Sequence, residues 1–97
     1  MPDCIRYTCH VGLLPVIQQV LIDHDYAIEI SPYRRFNGTM TTVLRCGATA
    51  VLLESAPSSA VGEIEVWGPG RNGVTNVLES QHFDLHKQPV LLSADNS

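Results

Sequence analysis

Polar and apolar positions alternate from Ile5 to His10, with Ile5, Tyr7 and Cys9 on one side and Arg6, Thr8 and His10 on the other. That is the period of a half-buried strand. The spacing then lengthens: Leu13, Leu14, Ile17, Val20 and Leu21 recur at helical intervals between Leu13 and Asp23, after Gly12 and with Pro15 in the first turn. This predicts an amphipathic helix, in which a first-turn proline sacrifices no hydrogen bond. His24 suits the carbonyl end of that helix when protonated and Asp23 and Asp25 do not, so the helix is bounded but poorly capped.

A period of two returns at Ala27 to Ile30, with Ile28 and Ile30 expected inward, Glu29 outward, and Ser31-Pro32 weakening or ending the pairing. Asn37-Gly38 lies between Tyr33-Arg34-Arg35-Phe36 and the stretch Thr39 to Leu44. Both residues tolerate positive φ, which predicts a β-hairpin closed by a two-residue turn. Past Cys46-Gly47, Ala48 to Glu54 reads as a further strand, either turned back on its predecessor or continued through a bulge. Ala56-Pro57-Ser58-Ser59 is a loop, and Glu63 to Trp67 alternates strictly, with Ile64 and Val66 on the core face and both glutamates in water. Gly68 to Gly73 is a turn by composition. Val74, Val77 and Leu78 begin a short helix ending near His82, and Pro89 to Ser93 reads as an edge strand before a mobile tail at about 94–97.

The pattern predicts an α+β fold: a single small domain over residues 1–97, with an antiparallel sheet of four to five strands and one main and one short helix on one face. Its first half, strand-helix-strand-hairpin, is compatible with a ferredoxin-like arrangement. That is an analogy of topology and carries no function.

Composition narrows the function classes. At 97 residues the chain has room for one core, and 44% apolar with 16% charged residues is too apolar for a disordered chain. The longest apolar stretch, Val11 to Ile22, is interrupted by Pro15, Gln18 and Gln19 and is too short to span a bilayer. No membrane role is expected. Six Lys+Arg against ten Asp+Glu give a net charge of -4, with no basic run, which disfavours general nucleic-acid binding. Three cysteines, an odd number, fit a reduced compartment, and Met1-Pro2-Asp3-Cys4 lacks the pattern of a secretory signal, so a cytoplasmic protein is expected.

Candidate chemistry is sparse. Gly68-Pro69-Gly70-Arg71-Asn72-Gly73 matches G-x-G-x-x-G after a strand and before a helix, with Asp95 beyond it. The following helix is short and the chain ends before a dinucleotide fold is complete, so the loop offers at most an anion-facing Arg71, with Gly68 and Gly70 beside it. His82 and His86 have a zinc-like spacing, but Cys4 and Cys9, five apart on a strand, face opposite ways. The same alternation separates Cys9 from His10, and no elbow motif surrounds Cys46. No metal, cofactor or catalytic residue is expected.

Tyr33, Arg34, Arg35 and Phe36 place two guanidinium groups between two aromatic rings beside a turn, which suits a macromolecular contact. Trp67, the only tryptophan, is expected to pack in the core or at a sheet end. By elimination the sequence points to a non-enzymatic domain that binds another protein, as an inhibitor or adaptor, with homodimerisation as one way to cover an apolar face or sheet edge. The alternatives are a regulatory module of ferredoxin-like type sensing a small molecule or anionic ligand at the glycine loop or a dimer interface, and RNA binding through the Arg-aromatic hairpin.

Overall fold

The computed structural model describes residues 4–34 and 38–87, with backbone alone at 30–34. Strand β1, Cys4–His10, buries Tyr7 and Cys9 and exposes Arg6 and His10, as its alternation requires. A short 3-10 turn, Val11–Leu13, follows, and its first free N–H is met by the preceding side chain: Gly12 N donates to His10 Nδ1 at 3.0 Å. Helix α1 spans Leu14–Asp23 with Pro15 in its first turn, no side-chain cap at Leu13, and Leu14, Ile17 and Leu21 buried. Asp25, with φ at 71°, reverses the chain into β2.

The remaining elements are β2 (Ala27–Arg34), β3 (Met40–Cys46), β4 (Thr49–Ser55), β5 (Val61–Trp67), α2 (Arg71–Ser80) and β6 (His86–Lys87). The strands form one antiparallel sheet in the order β2-β3-β4-β5-β1-β6. Six strands among the described residues exceed the four to five expected, because β6 is only two residues long and shows no run of its own in the sequence. Four strands separate the two helices, where a ferredoxin-like β-α-β-β-α-β order has two.

Two turns differ from expectation for one reason: pairing register, not local residue preference, decides where a ladder closes. The β2–β3 hairpin exists, but its last pairs are Tyr33↔Thr41 and Arg34↔Met40. A two-residue turn at Asn37-Gly38 would pair Arg34 with Thr41, one position along, so the connection instead spans residues 35–39. Gly38 has the positive φ expected of it, 90°, while Asn37 lies outside the described residues. The two-residue turn belongs to the next hairpin. Cys46 pairs with Thr49 across Gly47-Ala48, with Gly47 at φ 61°, which is where a type II′ turn requires glycine. That settles the open choice at Cys46-Gly47 in favour of reversal.

Strand β2 also runs through Ser31-Pro32, which an outermost strand tolerates because a proline there forfeits no ladder bond. Register shifts on either side of Ile30 break its alternation: Ile28 pairs with Leu44 but Ile30 with Val43, so the two isoleucines do not share one row. Helix α2 starts at Arg71, three residues before the expected Val74, since Arg71, Asn72 and Gly73 already have helical backbone. It ends at Ser80, leaving His82 in the turn beyond, with φ at 57°. The expected strand at Pro89 to Ser93 and the tail lie outside the described residues.

Both helices cover the same face of the sheet. Leu14, Ile17 and Leu21 of α1 and Val74 and Leu78 of α2 share one cluster with Tyr7, Cys9, Leu44, Val51, Leu53, Ile64 and Val66. Each fully buried aliphatic side chain there contributes about 1.5–3 kcal/mol. No helix among the described residues is long and apolar enough to cross a membrane.

Candidate functional site

Alternation along β1, β3, β4 and β5 sends their remaining side chains to the sheet's other face, where no helix among the described residues lies. Register sorts them into rows. Thr8, Glu63, Glu54 and Thr41 lie abreast, then Arg6, Glu65, Leu52 and Val43, then Cys4, Trp67, Ala50 and Arg45. Burial is graded across these rows. Thr41 is 0% exposed and Val43 8% on β3, whereas Arg6, Glu63 and Trp67 are exposed on β1 and β5. The accessible part of the face is therefore the β4–β5–β1 portion.

Trp67 ends β5 with 41% of its surface exposed, so the expectation of a core or sheet-end residue holds for its position and fails for its burial. The core-face positions of β5 belong to Ile64 and Val66, and Trp67 takes the opposite phase. Its indole is fixed nonetheless: Trp67 Nε1–H donates to Glu65 Oε1 at 3.0 Å. The other oxygen of Glu65 takes Arg6 Nη2 at 3.3 Å, and the carboxylate raises the guanidinium's pKa further. Arg45 is held in the same way, its Nε donating to Glu29 Oε1 at 2.9 Å. Cys4, half-buried beside Trp67, has its thiol pushed up by burial, with a hydrogen bond from Arg6 opposing the shift.

On the side of Glu65 away from the Trp67 row, the carboxylates of Glu54 and Glu63 come together with that of Glu65, one oxygen of each within 4.8 Å of the others. Glu54 and Glu63 pair directly across β4 and β5, an arrangement that like charges disfavour. Thr41 Oγ1–H, the buried hydroxyl beside them, donates to Glu54 Oε2 at 3.4 Å. Two shallow depressions flank this group and share Glu63. One of about 240 Å³ is lined by Glu54, Glu63, Ala56 and Val61 among others, and one of about 110 Å³ by Arg6, Thr8, Glu63 and Glu65. Both are smaller than the ~300–1,000 Å³ of a small-molecule site.

The glycine loop is occupied by its own packing. Gly68 has φ at 106°, and a Cβ there would stand 2.3 Å from the Ala48 carbonyl oxygen, so only glycine fits. Gly70 N donates to Thr49 Oγ1 at 2.7 Å, and both the backbone N–H and the Nη1 of Arg71 donate to Gly68 O, at 3.3 and 2.8 Å. Donors that an anion cradle would aim outward instead go to Thr49, beside the β3–β4 turn, and to the loop's own Gly68 carbonyl. Of the Arg-aromatic cluster, Tyr33 and Arg34 end β2, and Arg35 and Phe36 lie outside the described residues.

The remaining candidates stay apart. Cys9 is a buried core residue with its thiol pushed up by burial, away from Cys4 in the Trp67 row, and Cys46 is exposed at the β3–β4 turn. His82 sits in the turn after α2 and His86 in β6. Sequence reasoning passed over Glu54, Leu52 and the exposure of Trp67. The alternation of Glu63 to Trp67 put both glutamates outward, but only the β4–β5 register brings Glu54 opposite Glu63. Comparison with protein families and with curated proteins finds no match for this chain.

Proposed function

We propose that this is a non-enzymatic, cytoplasmic protein-interaction domain, an inhibitor or adaptor, which engages its partner through the helix-free face over β4, β5 and β1. The observation that carries the reading is the chain's single tryptophan, 41% exposed on that face and pinned by Glu65 next to Leu52. A rigid aromatic side chain set beside apolar surface and ringed by polar groups is the composition of an interface hot spot. Docking by face suits this sheet better than docking by edge. Its outer strand β2 carries two register shifts and Pro32, devices that discourage strand addition. The internal bonding of Gly68, Gly70 and Arg71 gives less support to a small-anion sensor.

The test is comparative capture from native cells. Wild-type protein and Trp67→Ala should both fold, and the partner retained by the wild type should be lost from the variant. Val16→Asp, at an exposed position on α1, should retain it. Retention of the partner by Trp67→Ala would move the contact elsewhere, with Tyr33 to Phe36 the next surface to change.

A further inference from the structure

We infer that the partner presents an uncharged apolar side chain to the surface formed by Trp67 and Leu52, and that binding there is insensitive to salt. The inference rests on the reading of the helix-free face as a docking surface and adds the chemistry of what docks there.

Hydrogen bonding is the first argument. The indole has one polar group, and its Nε1–H is already donated to Glu65 Oε1 at 3.0 Å. The other Glu65 oxygen holds Arg6 Nη2 at 3.3 Å, and Arg6 also bonds the Cys4 thiol. What Trp67 has left to offer is the carbon surface of its ring. On the far flank Arg45 and Glu29 close a second pair, Nε to Oε1 at 2.9 Å. Register sets apolar side chains between the two pairs: Leu52, half-buried, lies on β4 between Glu65 and Val43, and Ala50 lies between Trp67 and Arg45. From β5 to β3 is two strand spacings, about 10 Å, which gives room for one extended segment.

Charge is the second argument. A partner cation would approach an indole bordered by the guanidinium groups of Arg6 and Arg45, and a partner anion would meet the Glu65 carboxylate. Either would have to break an ion pair already made or give up its hydration with no group to replace it. An aliphatic or aromatic side chain gives up nothing polar. Flanks that are neutralised internally are therefore complementary to a neutral occupant.

The experiment uses the full chain, isotopically labelled and titrated with a short capped peptide alternating leucine with glutamine. Two counterparts carry lysine or glutamate in place of glutamine. The neutral peptide should bind saturably, move the Trp67 Nε1–H and Leu52 methyl resonances, and keep its affinity within about twofold when salt is raised from 0.1 to ~1 M. Leu52→Asn should weaken it about tenfold, through lost apolar burial, while Val16→Asp on α1 should leave it unchanged. Binding of the lysine or glutamate peptide more than about tenfold tighter than the neutral one, with steep loss in salt, would overturn the inference. Shifts confined to the helices, or no binding by any peptide, would do the same. A Trp67 resonance that moves on dilution without peptide would make the occupant a second copy and overturn it as well. In each of these cases the docking face itself still stands if Trp67→Ala loses the natural partner, and falls if it does not.

Discussion

The two faces of this sheet are made by the same strands and have opposite characters. On the covered face most inward residues are apolar, with Thr42 and Thr49 buried among them, and α1 and α2 close over them to leave Ile17, Leu21, Leu44, Ile64 and Leu78 without solvent contact. On the other face the intervening positions hold carboxylates, guanidiniums and a half-exposed tryptophan, tied to each other by hydrogen bonds and ion pairs. The difference separates two tasks. Stability is concentrated where packing is complete, which leaves the opposite phase of the strands free to carry polar side chains and the tryptophan. Exposed apolar residues elsewhere, such as Val16 on α1, stand singly and need no function.

The contrast can be broken from the covered side first. Ile17→Ala or Leu78→Ala should each cost about 2–5 kcal/mol, measured by denaturant unfolding, because each empties a site sealed by helix and sheet. Gly68→Ala comes next. Gly68 carries the chain from Trp67 on one face to α2 on the other, and an added methyl would strain a positive φ and meet the Ala48 carbonyl, for a loss of roughly 1–3 kcal/mol or more. Trp67→Ala should cost less than the core substitutions, about 1–2 kcal/mol, and its main effect should be on partner affinity. The smallest effect is a gain. The Tyr7 hydroxyl is buried with no hydrogen-bond partner among the described residues, so Tyr7→Phe should raise stability by about 1 kcal/mol.

The covered face was legible in the sequence, and the open one was not. Periods of two in β1 and β5 and of three to four in α1 identify Tyr7, Cys9, Ile17, Leu21, Ile64 and Val66 directly, because burial on one side leaves its mark on every second or every third to fourth residue. Turn chemistry was less decisive. Asn37-Gly38 is the stronger two-residue signal, yet the two-residue turn formed at Gly47-Ala48, where the β3–β4 ladder runs without a shift from Met40↔Ser55 to Cys46↔Thr49. In β2 the register shifts around Ile30 change the pairing before the Asn-Gly pair is reached. The open face depends on register across three strands. Glu54 and Glu63 are nine residues apart with a loop between them, and no local pattern says that they will lie opposite one another. The glycine motif misled in the other direction: its spacing suits an anion cradle, but its donors are taken by Thr49 and Gly68.

If the helix-free face receives the partner, the chain's single tryptophan must report it. Trp67 emission should be recorded with and without the partner captured from native cells, together with its quenching by acrylamide, using a variant of that partner whose own tryptophans are replaced by phenylalanine. On binding, the emission should shift to shorter wavelength and the quenching should fall, because an indole that is 41% exposed becomes covered. Emission and quenching unchanged at saturating partner would contradict it and place the interface away from this face.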